Sequence, residues 1–142
     1  MIRLGKLTDY GVGLMTRLAG EGAPAQMTAR DLSASMGLSL PTVSKILKLL
    51  SKADLLVSQR GAAGGYSLAR SPEEITLADV VGALEGPLAL TECSSGGNCS
   101  CQLQLDCGLQ DQWSGINRQI QATLEGVTLA QMAAAAAPQC KS

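Results

Sequence analysis

The tightest constraint on this chain is a helix start, a helix stop and a second helix start packed into residues 28–41. Thr28 reads as an N-cap, and Asp31 stands three residues on, where its carboxylate answers the cap's own N–H. Leu32 and Met36 form an i, i+4 apolar pair, and Gly37 supplies a C-terminal stop. One residue, Leu38, separates that glycine from Ser39, a second N-cap. Pro41 follows in a first turn, where a missing N–H costs nothing. Val43, Ile46, Leu47 and Leu50 then lay an apolar stripe along one face. Two short helices around so tight a glycine turn read as a helix-turn-helix.

A helix expected from about Leu4 to Ala19 precedes this unit, with Leu7, Tyr10, Gly11, Leu14 and Leu18 on one side. After Asp54 the period changes. Residues 55–59 and 66–69 alternate like two strands, and Arg60 to Gly65 makes a glycine-rich tip between them. A helix-turn-helix followed at once by a hairpin is a winged helix. The expected fold is therefore mainly α with a small β-hairpin wing. Thr76 caps a further helix to Leu84, which Gly86–Pro87 ends. Leu109, Trp113, Ile116, Ile120, Leu124 and Val127 recur at helical spacing, one long amphipathic helix with an apolar seam. Such a seam is either a dimer interface or the face of a buried core helix. A short helix over 128–137 and a fraying end complete the chain.

Charge separates the two halves. Residues 1–70 carry nine Lys/Arg and four Asp/Glu, while residues 71–142 carry two and eight, so +5 faces -6 behind a total of -1. The basic half holds the helix-turn-helix, which points to double-stranded DNA as the partner. Opposite the stripe, Thr42, Ser44, Lys45, Lys48 and Ser51 form the face that a major groove receives, with Ser39 at its start. Arg60 suits the narrower minor groove, and Gly61, Gly64 and Gly65 let the wing backbone come close. Tyr66 follows in the same wing motif. A solvated surface helix and a plain hairpin turn are the blander readings of the lysines and the glycines.

Several classes are excluded. The chain has no His, so His-dependent catalysis and His-containing zinc sites are absent. Without Phe, and with one Trp and two Tyr, it cannot build a stacking platform for single strands. Neither a nucleotide-binding glycine pattern after a strand nor a paired-carboxylate motif is present, so no enzyme is expected. No apolar run reaches the roughly 20 residues that span a bilayer, and the first residues lack a signal-peptide core, so a cytoplasmic location is expected.

Cys93, Cys99, Cys101 and Cys107 lie within fifteen residues, in a Gly/Ser-rich stretch without periodicity. Intervals of five, one and five residues do not match paired C-x-x-C zinc knuckles. Thiolates crowded in such a loop suit an iron–sulfur cluster, four-Cys zinc or a thiol switch, and spacing alone leaves the three open. Cys140, near the end, is a bystander.

The chain resembles the iron–sulfur-sensing winged-helix regulators that include IscR and NsrR, and most closely their branch controlling the SUF assembly system. The stretches that carry this are Leu7-Thr8-Asp9-Tyr10-Gly11, Leu40-Pro41-Thr42-Val43-Ser44-Lys45, residues 60–66, Ala83-Leu84-Glu85-Gly86-Pro87, Leu90-Thr91-Glu92-Cys93 and Trp113-Ser114-Gly115-Ile116-Asn117. The resemblance covers residues 1 to about 130. It implies a homodimer paired through Leu109, Trp113, Ile116, Ile120 and Leu124, reading a two-fold operator. It also implies an iron–sulfur cluster, 2Fe–2S or 4Fe–4S, on Cys93, Cys99 and Cys107. Two departures stand out. The last gap is seven residues rather than the family's five, and Gln110 stands where IscR-like members place a ligand His. The fourth ligand then falls to Asp9, matching the NsrR-like aspartate from the partner subunit, or to Cys101.

The expected organisation is a winged helix-turn-helix over 1–86, a cluster loop over 87–107, a dimerisation helix over 108–130 and a frayed or disordered tail over 131–142. The expected function is repression of iron–sulfur assembly genes, with a zinc site or thiol redox switch as the alternative use of the cysteines.

Overall fold

Local caps set most helix boundaries. The computed structural model describes residues 3–20, 26–61, 64–89 and 109–136. Its elements are α1 (Lys6–Ala19), α2 (Ala29–Met36), α3 (Leu40–Lys52), β1 (Leu56–Gln59), β2 (Gly65–Leu68), α4 (Leu77–Glu85), α5 (Gln110–Glu125) and α6 (Leu129–Ala136). The Asp31 N–H donates to Thr28 Oγ1 and the Thr28 N–H to Asp31 Oδ2, both at 3.1 Å, a complete capping box. Gly37 takes the left-handed conformation (φ 67, ψ 28) that stops α2, and Ser39 Oγ accepts from the Thr42 N–H at the start of α3. Thr76 and Asp79 form a second capping box ahead of α4.

β1 and β2 pair antiparallel, with Leu56 opposite Leu68 and Gln59 opposite Gly65. A third backbone segment joins them. The Tyr66 N–H donates to Met27 O at 2.8 Å, and the Met27 N–H returns to Tyr66 O at 3.0 Å. The wing is thereby tied to the extended segment that precedes α2.

The core joins the helix-turn-helix to the rest. Leu14, Met15, Leu32, Ile46, Leu47, Leu50, Leu55, Ile75 and Val80 are all buried. Each such side chain contributes about 1.5–3 kcal/mol of apolar burial. In α1 the buried face runs through Thr8, Gly11, Leu14, Met15 and Leu18, whereas Leu7 and Tyr10 are half-buried. The stripe is rotated from its expected centre because α4 and α6 both pack on this helix. A Cβ on Gly11 would come within 2.2 Å of Leu84 Cδ1, so the glycine brings α1 and α4 together. The start of α1 also moves, from the expected Leu4 to Lys6.

The C-terminal expectations need correction. The helix expected to run on to Val127 ends at Glu125, so the segment 108–130 is not one helix. The short helix expected over 128–137 is α6, so residues 131–136 belong to it and not to a frayed tail over 131–142; residues 137–142 lie outside the described set. Leu129 and Ala133 are buried, and α6 packs on α1. The Leu77 N–H donates to Val127 O and the Leu129 N–H to Ile75 O, each at 2.8 Å. Those bonds fasten α6 to the segment before α4, making it part of the winged-helix core. No described helix is long and apolar enough to cross a membrane.

Candidate nucleic-acid interface

Burying Val43, Ile46, Leu47 and Leu50 fixes which side of α3 faces outward. Ser44, Lys45 and Lys48 are exposed on that side, whereas Ser51, expected there too, is half-buried, with its Oγ enclosed and without a hydrogen-bond partner among the described residues. Among the described residues the one ion pair joins Arg70 to Asp79 at 3.9 Å, so neither lysine is neutralised by a carboxylate. Ser39 and Thr42 sit at the helix start, their hydroxyls 2.8 Å apart. Both already serve the cap, and each keeps spare hydrogen-bonding capacity.

In the wing, Arg60 and Gly61 are exposed. Gly64, Gly65 and Tyr66 are half-buried, and the wing itself uses them. The Gly64 N–H donates to Gly61 O at 2.9 Å, and a Cβ there would lie 2.4 Å from Gln59 O. A Cβ on Gly65 would lie 2.9 Å from Met27 O, at a φ of +156. Tyr66 packs against the core as well as pairing with Met27. These three residues shape the hairpin whether or not they also touch DNA. A side-chain bond from Gln26 Nε2 to Gln59 Oε1 adds a second tie between the wing and the segment before α2.

The structure brings in residues that sequence reading missed. Gly5, the N-cap of α1, has no side chain with which to cap. Glu85, the last residue of α4, does that work. Its Oε1 accepts from the Gly5 N–H and from Thr8 Oγ1, both at 2.7 Å. The Thr8 hydroxyl, then the Gly5 amide, hold the Glu85 carboxyl below the usual glutamate range. Only the missing cap at Gly5 signalled the need for an outside acceptor. Asn117, at the end of the Trp113–Asn117 stretch, makes a contact that no local pattern announces. Its Nδ2 donates to Leu88 O at 2.8 Å, which holds the chain just after α4 against α5.

Asp9 is exposed in the first turn of α1, on the rim of an open cavity of about 330 Å³ shared with Arg3, Leu4, Gly5 and Lys6. Cys93, Cys99, Cys101, Cys107 and Cys140 lie outside the described residues. Among the described residues no three His, Cys, Asp or Glu gather to hold a metal. The fit to a cluster therefore rests on donor chemistry, in which thiolates with one exposed carboxylate suit iron. On α5, Leu109, Trp113 and Ile116 are exposed at 59%, 38% and 41%, and Ile120 and Leu124 are half-buried. No α5 residue is fully buried, so the seam is not that of a core helix in this chain.

A helix-turn-helix with outward lysines, followed by a wing with an exposed arginine, defines a DNA-binding transcriptional regulator of the winged-helix class. The chain belongs to the Rrf2 family, described as iron-dependent transcriptional regulators, whose profile matches residues 4–135. It is 30% identical over 131 residues to protein rrf2 of Nitratidesulfovibrio vulgaris, covering 92% of this chain and 87% of that one. Its fold is similar to CymR, the global cysteine regulator of B. subtilis, with a TM-score of 0.73 and 25% identity over 95% of this chain and 98% of that one. It is equally similar to IscR of T. potens, with a TM-score of 0.70 and 28% identity over 99% and 94% of the two chains. The family is one of regulators rather than enzymes.

Proposed function

We propose that this chain is a cytoplasmic, homodimeric repressor of iron–sulfur assembly genes of the SUF type, governed by an iron–sulfur cluster in the cysteine loop. The observation that carries this reading is the framing of that loop. At one end the Glu85 carboxylate grips the start of α1, and three residues on the Leu88 carbonyl is held by Asn117 of α5. Cys93, Cys99 and Cys107, with Asp9 of the partner subunit or Cys101, would hold the cluster. When bound, it supplies a redox-active crosslink among those thiolates. The chain's own residues do the rest. Glu85 passes a shift of the loop's first residues to α1, Asn117 passes it to α5, and α3 with the wing carries it to DNA. The exposed α5 seam pairs with a second copy, so the two α3 helices meet a two-fold operator. The family's iron-dependent description and the similarity to an IscR support the cluster over the alternatives.

The test is the visible absorption of protein purified without oxygen. Brown protein with sulfide-to-iron charge-transfer bands is expected. Colourless protein with one zinc per chain would replace the cluster with a zinc site, and colourless, metal-free protein would leave a thiol switch. Asp9→Ala should alter the cluster spectrum and the cluster-dependent DNA affinity; if both are unchanged, Asp9 is not the fourth ligand, and Cys101→Ser becomes the variant to measure.

A further inference from the structure

The recognition helix opens with a residue unlike the polar face behind it. Leu40 is the first residue of α3 and is 38% exposed, while Leu47 and Leu50 of the same helix are fully buried. It is absent from the apolar residues that pack on the core. Nor is it needed to fasten the helix start. An apolar pair that staples a helix start sits just before the N-cap and at the fourth helical position. Those positions are Leu38, half-buried against the core, and Val43, fully buried. The Leu38 backbone is fixed further by Ser33, whose Oγ donates to Leu38 O at 2.5 Å.

Leu40, Ser44 and Lys48 follow one another at intervals of four, which places them in one row along the helix. The row runs from apolar to hydroxyl to ammonium. Helical side chains lean toward the N-terminus, so Leu40 leads that row. In a helix-turn-helix the N-terminal residues of the second helix meet base edges. Among the groups that bases show in the major groove, the apolar one is the thymine C5-methyl. We infer that Leu40 is a specificity-determining residue that covers the C5-methyl of one thymine in each half-site. Ser44 and Lys48 then lie one and two turns deeper along the same edge, on polar base atoms or phosphate. The inference rests on α3 being the recognition helix of a DNA-binding regulator.

The test needs no knowledge of the natural operator. A duplex is selected from random-sequence DNA by the wild-type protein, and each thymine of its half-sites is replaced in turn by deoxyuridine, which lacks only the methyl. One thymine per half-site should weaken wild-type binding about fourfold when so replaced, the factor expected for one methyl group withdrawn from apolar contact. Leu40→Ala should bind the parent duplex more weakly and be indifferent to uracil at that position. Leu40→Met, still apolar and of similar volume, should restore the discrimination. Thermal melts of both variants confirm that they fold. Wild-type protein indifferent to every uracil substitution, or Leu40→Ala with the full wild-type discrimination, would overturn the assignment while leaving DNA binding intact. Failure of the wild-type protein to select any duplex would overturn the DNA reading, and this assignment with it.

Discussion

Lys45 and Glu85 illustrate two kinds of residue in this protein. Lys45 is exposed on the outer side of α3 and does no work within the fold. In the proposed complex its value would lie in a counterion released from DNA, which makes binding salt-dependent. Lys45→Ala should leave stability unchanged, weaken duplex binding and reduce the slope of log K against log salt by about one. An unchanged slope would remove Lys45 from the phosphate contacts. Glu85 works inside the fold, and its effect depends on pH. Its carboxyl is held below the ordinary value of 4.5 by Thr8 and Gly5. The stabilisation it gives is complete above that value and is lost as pH falls through the lowered folded one. Glu85→Gln keeps an acceptor oxygen but no titration. Melting temperature should therefore fall more steeply with acid in the wild type than in Glu85→Gln below about pH 4.5. Asp31, whose carboxyl is lowered by Thr28, titrates alike in both proteins and cancels in the comparison.

At the scale of elements, the wing and α5 depend on opposite properties. The wing needs closeness. Gly65 sits where any side chain would strike the Met27 carbonyl, so Gly65→Ala should destabilise by about 1–3 kcal/mol in urea unfolding. DNA affinity of the folded fraction should fall too, because Arg60 rides on the same hairpin. Helix α5 leaves its apolar face open. Leu109, Trp113 and Ile116 leave an apolar strip in water. Ile116→Glu should put a charge into any interface built on it and convert a dimer to monomers by sedimentation, with the helical circular dichroism kept. A dimer that survives Ile116→Glu must use another surface.

For the whole molecule, what was legible in the sequence follows the range of the interactions. The Thr28 box, the Gly37 stop and the Ser39 cap are completed within a few residues, so the helix-turn-helix could be read directly. The contact of Glu85 with Gly5 spans 80 residues, and no local pattern announces it. The bridge from Met27 to Tyr66 is shorter in range but equally unannounced by any local pattern. The short helix over 128–137 was legible, but its burial in the core was not, for another reason. An alanine run has helix propensity but no contrast between faces, so periodicity cannot show that Leu129 and Ala133 are buried. Of the candidate sites, the lysine face of α3 was legible because the buried stripe defines its opposite. Gly64, Gly65 and Tyr66 were legible as a wing, though their packing inside it was not. The cysteines were legible as chemistry alone, since four thiols in one loop name a class of ligand without giving its geometry.

Docking of α6 on α1 changes the mechanical picture. Helix α5 is held to the winged helix beside its middle by Asn117 and beyond its end by the bonds of Val127 and Leu129. A second copy gripping α5 would thus set the spacing of the two recognition helices. The most direct measurement is the affinity of one anaerobically purified sample for its selected duplex, before and after its iron is removed by a chelator. The account predicts a change of about tenfold or more, corresponding to about 1.4 kcal/mol of coupling, and no such change in a Cys93→Ser, Cys99→Ser, Cys107→Ser triple variant. Identical affinities before and after iron removal in the wild-type protein would contradict it.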